Sequence, residues 1–231
     1  MQLESIKLSK KLIKTILVET LSRGKSLNRI LVNHVLAEFE LSGQIIDLGS
    51  GSDSASYNRF LRYKNPYKVT YSDLYREGQN LIKINLEKPF EIGENSFDYV
   101  MCFNVLEHIY NFKNVIKESH RILRTGGVFI GSTPFMHRFH PDPCDYFRYS
   151  HQALVKMFEE ESYVCEKIVY VGFGPFSIGG SQWTNLAPKT LRAVLVLLDI
   201  LNVFLDIIFI KFSKSYRMVH PFSYVYVFRK A

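Results

Sequence analysis

Cysteine is scarce in this 231-residue chain. Cys102, Cys144 and Cys165 stand far apart and form no C-x-x-C pair. That excludes a disulfide framework and a cysteine-built zinc site, and it fits a reducing compartment, the cytoplasm. Residues 1–19 carry no signal peptide: Lys7, Lys10, Lys11 and Lys14 break into the apolar pattern, and no apolar core of the needed length follows. Acidic residues are missing from the last stretch. Residues 211–231 hold five Lys/Arg and no acid, and residues 1–25 hold six against two. The middle keeps 18 basic and 20 acidic residues, so the net charge of +7 sits at the ends. Basic ends suit an anionic membrane surface or nucleic acid better than an acidic small substrate. A further absence is the third glycine of G-x-G-x-x-G: Ser54 stands in its place, against a dinucleotide-binding loop. Nothing in the chain calls for a metal.

What is present is organised around residues 44–54, Gln-Ile-Ile-Asp-Leu-Gly-Ser-Gly-Ser-Asp-Ser. A short apolar run ends in Asp47, and Gly49 and Gly51 follow at once. This is the pattern of a buried parallel strand turning into a helix through a glycine loop. Glycines let the backbone turn and let a ligand approach without meeting a Cβ. The following helix, expected over residues 55–63 and stopped by Asn65-Pro66, would aim free N–H groups at that ligand. With Asp47 before the glycines, the stretch resembles the first motif of the class I S-adenosylmethionine (SAM)-dependent methyltransferases, apolar-apolar-Asp-Leu-Gly-x-Gly. That family often has glycine where this chain has Asp53.

The rest of the chain extends the resemblance. A strand over residues 68–71 closes with Ser72-Asp73-Leu74, and an acid at the end of a second strand suits a ribose, since a carboxylate accepts from both vicinal hydroxyls. A third strand over 81–86 ends in Asn85-Leu86, where the family usually places an Asp beside the adenine amino group; the Asn85 side-chain oxygen can still accept. Residues 97–109 read Phe-Asp-Tyr-Val-Met-Cys-Phe-Asn-Val-Leu-Glu-His-Ile. They resemble the fourth strand and the Val-Leu-Glu-His run of small methyltransferases, in which Asn104 would line the methionine end of SAM. The resemblance makes Glu107 and His108 largely structural. The cofactor-binding set is therefore Asp47, Gly49, Ser50, Gly51, Asp73, Leu74, Asn85, Leu86 and Asn104.

A helix over 115–123, a fifth strand over 128–131, a Ser150-capped helix over 151–160, a sixth strand over 165–171 and a seventh over 222–228 complete an α/β pattern. The fold expected is a Rossmann-like, seven-stranded methyltransferase sheet, mostly parallel with an antiparallel last strand and helices on both faces. It forms a single domain: amphipathic helices within 1–40, the SAM core over 41–174, a helical insertion over 175–220 and the last strand over 221–231. The basic amphipathic helices over 9–19 and 27–39 would cover a face or edge of the sheet.

Two stretches are less generic. Residues 135–150 resemble the His-x-x-Pro-x-Asp-Tyr-x-Arg loop of methyltransferase-domain proteins of bacterial glycan and cell-surface polysaccharide pathways. His140 is the first candidate for a base that deprotonates an acceptor hydroxyl, since its unperturbed pKa is near neutral. Asp145 is the second. Arg148 would orient an acidic acceptor, or pair with Asp145, and Tyr146 would stack on a sugar. The insertion begins with Gly172, Gly174, Gly179 and Gly180 as a flexible stretch. It then contains 191–212, with 17 apolar residues among 22. Asp199, Asn202 and Asp206 share one narrow stripe with Arg192, so the segment around 190–215 reads as a membrane-interface helix followed by Lys211, Lys214 and Arg217, as a homodimer or lid helix, or as a span. The function expected is SAM-dependent O-methylation of a small-molecule, glycan or lipid-linked acceptor, in the cytoplasm or peripherally at the membrane. Nucleic acid is disfavoured, since the basic residues do not interleave with exposed aromatics near the site. From other classes stand a SAM-binding scaffold without turnover, motivated by Asp53 and Asn85, and a nicotinamide oxidoreductase.

Overall fold

The structure, a computed structural model, describes residues 2–186, 188–212 and 216–231. Along the chain run β1 (Gln2–Ser5), α1 (Lys10–Arg23), α2 (Leu27–Leu36), β2 (Glu40–Asp47), β3 (Arg62–Asp73), β4 (Leu81–Lys83) and β5 (Phe97–Phe103). Then come α3 (Phe112–Ile122), β6 (Leu123–Pro134), α4 (His151–Glu160) and β7 (Tyr163–Val171). The chain closes with α5 (Pro175–Leu186), α6 (Arg192–Phe209), α7 (Tyr216–Val219) and β8 (Ser223–Lys230).

The strands form one sheet in the order β1-β7-β8-β6-β5-β2-β3-β4. Only β8 runs antiparallel, and it does so to both its neighbours. The sheet thus has eight strands, not the seven expected. The addition is β1, four residues that pair in parallel with the edge of β7 from Gln2↔Lys167 to Ser5↔Tyr170. Four residues are too few for a readable alternation. Lys167 fixes the edge by bridging to Glu4 at 2.7 Å and Glu38 at 3.5 Å.

Alternation along the strands divides the core in two. Ile45 joins Met101, Ile130 and Val225 under α1, α2 and α6, through Leu12, Ile30, Val196 and Val203. Ile46 joins Val100, Phe129 and Phe228 under α3 and α4, through Val115 and Phe158. The N-terminal helices cover a face, as expected. Side-chain caps set their starts, Ser9 Oγ accepting from Leu12 N at 3.1 Å and Ser26 Oγ from Arg29 N at 3.4 Å, and Ser150 Oγ caps α4 by accepting from Ala153 N at 3.2 Å.

Two further expectations fail, each for a physical reason. No α-helix follows the glycine loop. Residues Ser56–Arg59 make one 3₁₀ turn, and β3 begins at once. Tyr57 is drawn inward to donate to Asp47, and the Tyr/Phe-rich chain beyond it favours a pleated surface. Pro66 is accommodated because pairing shifts register between Leu41↔Tyr63 and Gly43↔Tyr67, which leaves it outside the ladder.

The second concerns the glycines after β7. Gly179 and Gly180 lie inside α5, a helix rather than a flexible stretch. A Cβ on Gly180 would stand 2.1 Å from the Asn202 amide nitrogen, so the glycine lets α5 and α6 approach closely. The two form a hairpin in which Asp199 and Asp206 face inward. Asp206, fully buried, accepts from Phe176 N at 3.0 Å, Ser177 N at 2.8 Å and the Tyr216 hydroxyl at 3.1 Å. Asp199, also buried, accepts from Thr184 Oγ1 at 2.9 Å. Among the described residues no helix is long and apolar enough to cross a membrane, so the spanning reading falls. Lys214 lies outside the described residues.

Candidate active site

The carboxyl ends of the parallel strands meet at one cavity of about 600 Å³. At the end of β2 the chain turns through Gly49 (φ 72°) and Gly51 (φ 68°), the left-handed region that glycine enters without strain. Ser72 holds the loop from the next strand: Gly49 N donates to its Oγ at 2.9 Å and Gly51 N to its carbonyl at 3.0 Å. A Cβ at 49 would stand 3.0 Å from Val105, and one at 51 would stand 2.5 Å from Arg76 and 3.0 Å from Asp73. The loop is therefore a tight cradle that admits a ligand only because side chains are missing. Free helical N–H groups do not contribute, since the expected helix is absent.

Of the nine cofactor candidates, eight line this cavity: Gly49, Ser50, Gly51, Asp73, Leu74, Asn85, Leu86 and Asn104. Asp73 accepts from Tyr75 N at 2.8 Å and Arg76 N at 3.1 Å, and Arg76 Nη2 meets its other oxygen at 2.7 Å. That ion pair holds the Asp73 carboxyl below its ordinary range. Asn85 Oδ1 accepts from Glu87 N at 3.0 Å, with a second lone pair left for a ligand. Asn104 sits in the left-handed region (φ 53°), and Ser132 Oγ donates to its side chain at 3.3 Å.

Asp47 is the ninth, and it lies behind the cradle. It is fully buried, and Tyr57 OH donates to its Oδ2 at 2.7 Å while Oδ1 has no hydrogen-bond partner. Burial pushes its carboxyl up to about 7, against the opposing hydrogen bonds of Tyr57 and Ser50. Between the unfolded carboxylate range and about pH 7, the folded state therefore holds a proton that the unfolded state has lost. Stability falls as pH rises through that window. Asp47→Asn should flatten this dependence by on the order of 3 kcal/mol between pH 4 and pH 8, read from denaturant midpoints. An unchanged slope would mean that Asp47 titrates as an exposed acid does.

The facing wall comes from residues 105–109 and the loop 135–150. His108, Ile109, Asp142, Cys144 and Tyr146 line the cavity. Tyr146 is half exposed at the rim, in edge contact with Tyr110 at 5.3 Å between centroids. His140 lies just behind His108, their rings 5.1 Å apart. Its Nδ1 has the Arg138 carbonyl at 3.1 Å and Asp145 Oδ2 at 3.2 Å, nearer than the Arg148 Nη2 donor at 3.4 Å, so the two closer acceptors favour Nδ1–H and leave the lone pair on Nε2. Burial lowers the His140 pKa and keeps the ring neutral near pH 7.

Asp145 does not suit the role of base. Arg148 clamps both its oxygens and His140 N donates to it at 2.8 Å, which together hold its carboxyl well below the usual range. It orients His140 instead. Arg148 is likewise engaged, by Asp145 and by the Phe147 and Arg138 carbonyls, which is the pairing alternative rather than a free anion-binding group.

Glu107, for which the sequence allows a catalytic role but the resemblance favours a structural one, is the functional candidate left out of the expected site set. It is fully buried, with neither carboxylate oxygen hydrogen-bonded. Its Oε1 lies 3.7 Å from His108 Nε2 and 3.9 Å from His140 Nε2. Burial pushes its carboxyl up to about 8. His108 is fixed from behind by donating Nδ1–H to the Cys144 carbonyl. Among the described residues, Glu107, His108 and His140 are the one group whose ligand atoms, within 4.8 Å of one another, could hold a metal ion. The signal for them was the Glu-His pair itself, placed at a strand end.

A second cavity, of about 590 Å³, is lined by Gly43, Asp98, Arg124 and Gly126 among others. It opens at the amino ends of the parallel strands, away from the end where α/β sheets bind ligands.

The sequence pattern of a family described as a methyltransferase domain matches residues 22–164. No curated protein matches the chain in sequence. Among solved structures, a SAM-dependent methyltransferase from Mesorhizobium loti superposes with a TM-score of 0.52 at 14% identity, over 88% of this chain and 98% of its own. Geranyl diphosphate C-methyltransferase from Streptomyces coelicolor, solved with Mg²⁺, geranyl diphosphate and S-adenosylhomocysteine, gives 0.53 at 12%, over 88% and 76%. The 1,6-didemethyltoxoflavin-N1-methyltransferase of Burkholderia thailandensis gives 0.52 at 13%, over 98% and 92%. Identities this low speak for the fold alone.

Proposed function

The chain belongs to the methyltransferase-domain family, and from that premise we propose that it O-methylates a glycan or lipid-linked acceptor with SAM. SAM is the cofactor, and the cradle fits it: two glycines that admit no Cβ, and the Asp73 carboxylate at the end of the next strand. When bound, it supplies a methyl on a sulfonium already activated for in-line displacement. The chain's own work is to hold an acceptor at attack distance and remove its proton.

His140 takes that proton at Nε2, while Asp145, held by Arg148, keeps Nδ1–H in place. The acceptor oxygen then carries the electron pair that forms the new bond to the methyl carbon. Tyr146, beside Tyr110 at the rim, offers an aromatic face to a sugar ring. The observation that carries this reading is the convergence of the β2, β3 and β5 ends and the loop 135–150 on one cavity.

Isothermal titration with S-adenosylhomocysteine tests the cofactor role of Asp73. Losing a charged acceptor for ribose hydroxyls is worth about 1.5–3 kcal/mol, so Asp73→Ala should weaken binding about 10- to 100-fold. An unchanged Kd would detach Asp73 from the cofactor. Transfer of labelled methyl to a glycan or lipid fraction tests the reaction. Tight binding with no transfer to any acceptor would favour the scaffold reading.

A further inference from the structure

The α5–α6 hairpin is inverted relative to an ordinary surface helix pair. Its acids are buried, as described above, while beside a buried apolar seam it carries a second apolar face that points outward. On α6, Val194 is 59% exposed, Leu197 61%, Leu201 53% and Ile208 52%; Trp183 on α5 reaches 72%. At 100° per residue the four α6 positions fall on one side of the helix, opposite Val196, Val203 and Asp206, which are buried. Scattered exposed leucines need no explanation, but a contiguous apolar helix face marks a surface that something covers.

We propose that this face seats the protein on an anionic lipid surface. Charge selects the occupant. From residue 182 to 222 the sequence holds Lys189, Arg192, Lys211, Lys214 and Arg217, and its only acids are Asp199 and Asp206. Both acids are buried, so the ionisable residues this stretch of sequence leaves uncancelled are basic, and they stand before and after the apolar run. The neighbouring helix repeats the mixture: α1 packs against α6 and exposes Lys10 and Lys14 beside Val18 and Leu21. Apolar side chains with lysine and arginine flanks, and tryptophan among them, suit the headgroup boundary of an anionic bilayer. A second copy suits it less. Two hairpins paired about a two-fold, parallel or antiparallel, bring basic end against basic end.

The placement also serves the acceptor. The insertion leaves the sheet after β7 and returns into β8, at the carboxyl ends of the parallel strands. Phe135 N donates to the Phe222 carbonyl at 2.7 Å and Met136 N to that of Pro221 at 3.2 Å. The loop that carries His140 and Tyr146 thus starts from the segment that ends the insertion. This deepens the proposed function, on which it rests for the claim that the acceptor is lipid-linked; seating on lipid does not require turnover.

Flotation of the full chain with vesicles of phosphatidylglycerol and phosphatidylcholine, against phosphatidylcholine alone, tests the proposal. The expected result is association with the anionic vesicles that weakens with salt, and a drop of at least about tenfold in L197E/L201E. Both positions are exposed, so the variant should keep its circular dichroism and its affinity for S-adenosylhomocysteine. No association of the wild type, or full association of the variant, would overturn the proposal. So would a wild-type dimer that the variant dissociates while vesicles are ignored, since the face would then belong to a second copy. Vesicle binding by a protein that fails to bind S-adenosylhomocysteine would count against the methyltransferase reading and leave the surface standing.

Discussion

His140→Ala will turn over about 10²- to 10⁴-fold more slowly at saturating acceptor, with affinity for S-adenosylhomocysteine unchanged. The expectation follows from what surrounds the ring. Its Nδ1 faces the Arg138 carbonyl and Asp145, which fixes the tautomer and leaves Nε2 as the basic atom. Burial lowers its pKa, so the neutral, proton-accepting form dominates at pH 7. Glu107 helps by staying uncharged: an ionised carboxylate 3.9 Å from Nε2 would hold the ring as imidazolium, but burial pushes that carboxyl up to about 8. The rate should therefore rise as pH climbs through the region below 6.5 and flatten near neutrality. Steady-state kinetics against pH, with the binding constant measured beside them, check both parts. Full turnover in His140→Ala would remove the base assignment, while a parallel loss of cofactor affinity would show that the loop had collapsed.

Much of this site was legible because its logic is local. Two glycines at 49 and 51, an acid at 73 and an asparagine at 104 each sit at a strand end, and parallel pairing brings strand ends together whatever the intervening chain does. The helix expected after the glycine loop does not form because Tyr57 and the aromatic residues beyond it answer to burial and to Asp47, a partner ten residues away. The role of Asp47 itself was invisible in sequence. A carboxylate beside a glycine loop looks like a ligand contact, and only the Tyr57 hydroxyl shows it turned away. For the same reason the sequence leaves Asp145 and Arg148 open between acceptor contacts and a mutual pair, and only the structure shows the bidentate pairing that engages both. Strand β1 was missed because four residues at the chain's start carry no period, and their partner lies more than 160 residues on.

The hairpin's polarity was also visible as a stripe but not as a direction, and one substitution decides which direction is right. In Asp206→Ala the helix becomes more apolar, and if the acid faced solvent the change would stabilise it or do nothing. The structure requires the opposite. Asp206 receives the first two N–H groups of α5 and the Tyr216 hydroxyl in a fully buried position. Removing it strands donors that cost about 1–3 kcal/mol each when buried and unpaired. A loss of about 3 kcal/mol, borne locally, speeds amide exchange across 175–186 by on the order of 10²-fold. Asp206→Asn, which keeps one accepting oxygen, should fall between. Hydrogen exchange followed by mass spectrometry reads the segment directly, and unchanged protection in the alanine variant would place Asp206 outside the structural core of the hairpin. The same loss should weaken vesicle association, although the helix has become more hydrophobic, because a lipid-facing surface needs its inward side anchored before the outward side can bind.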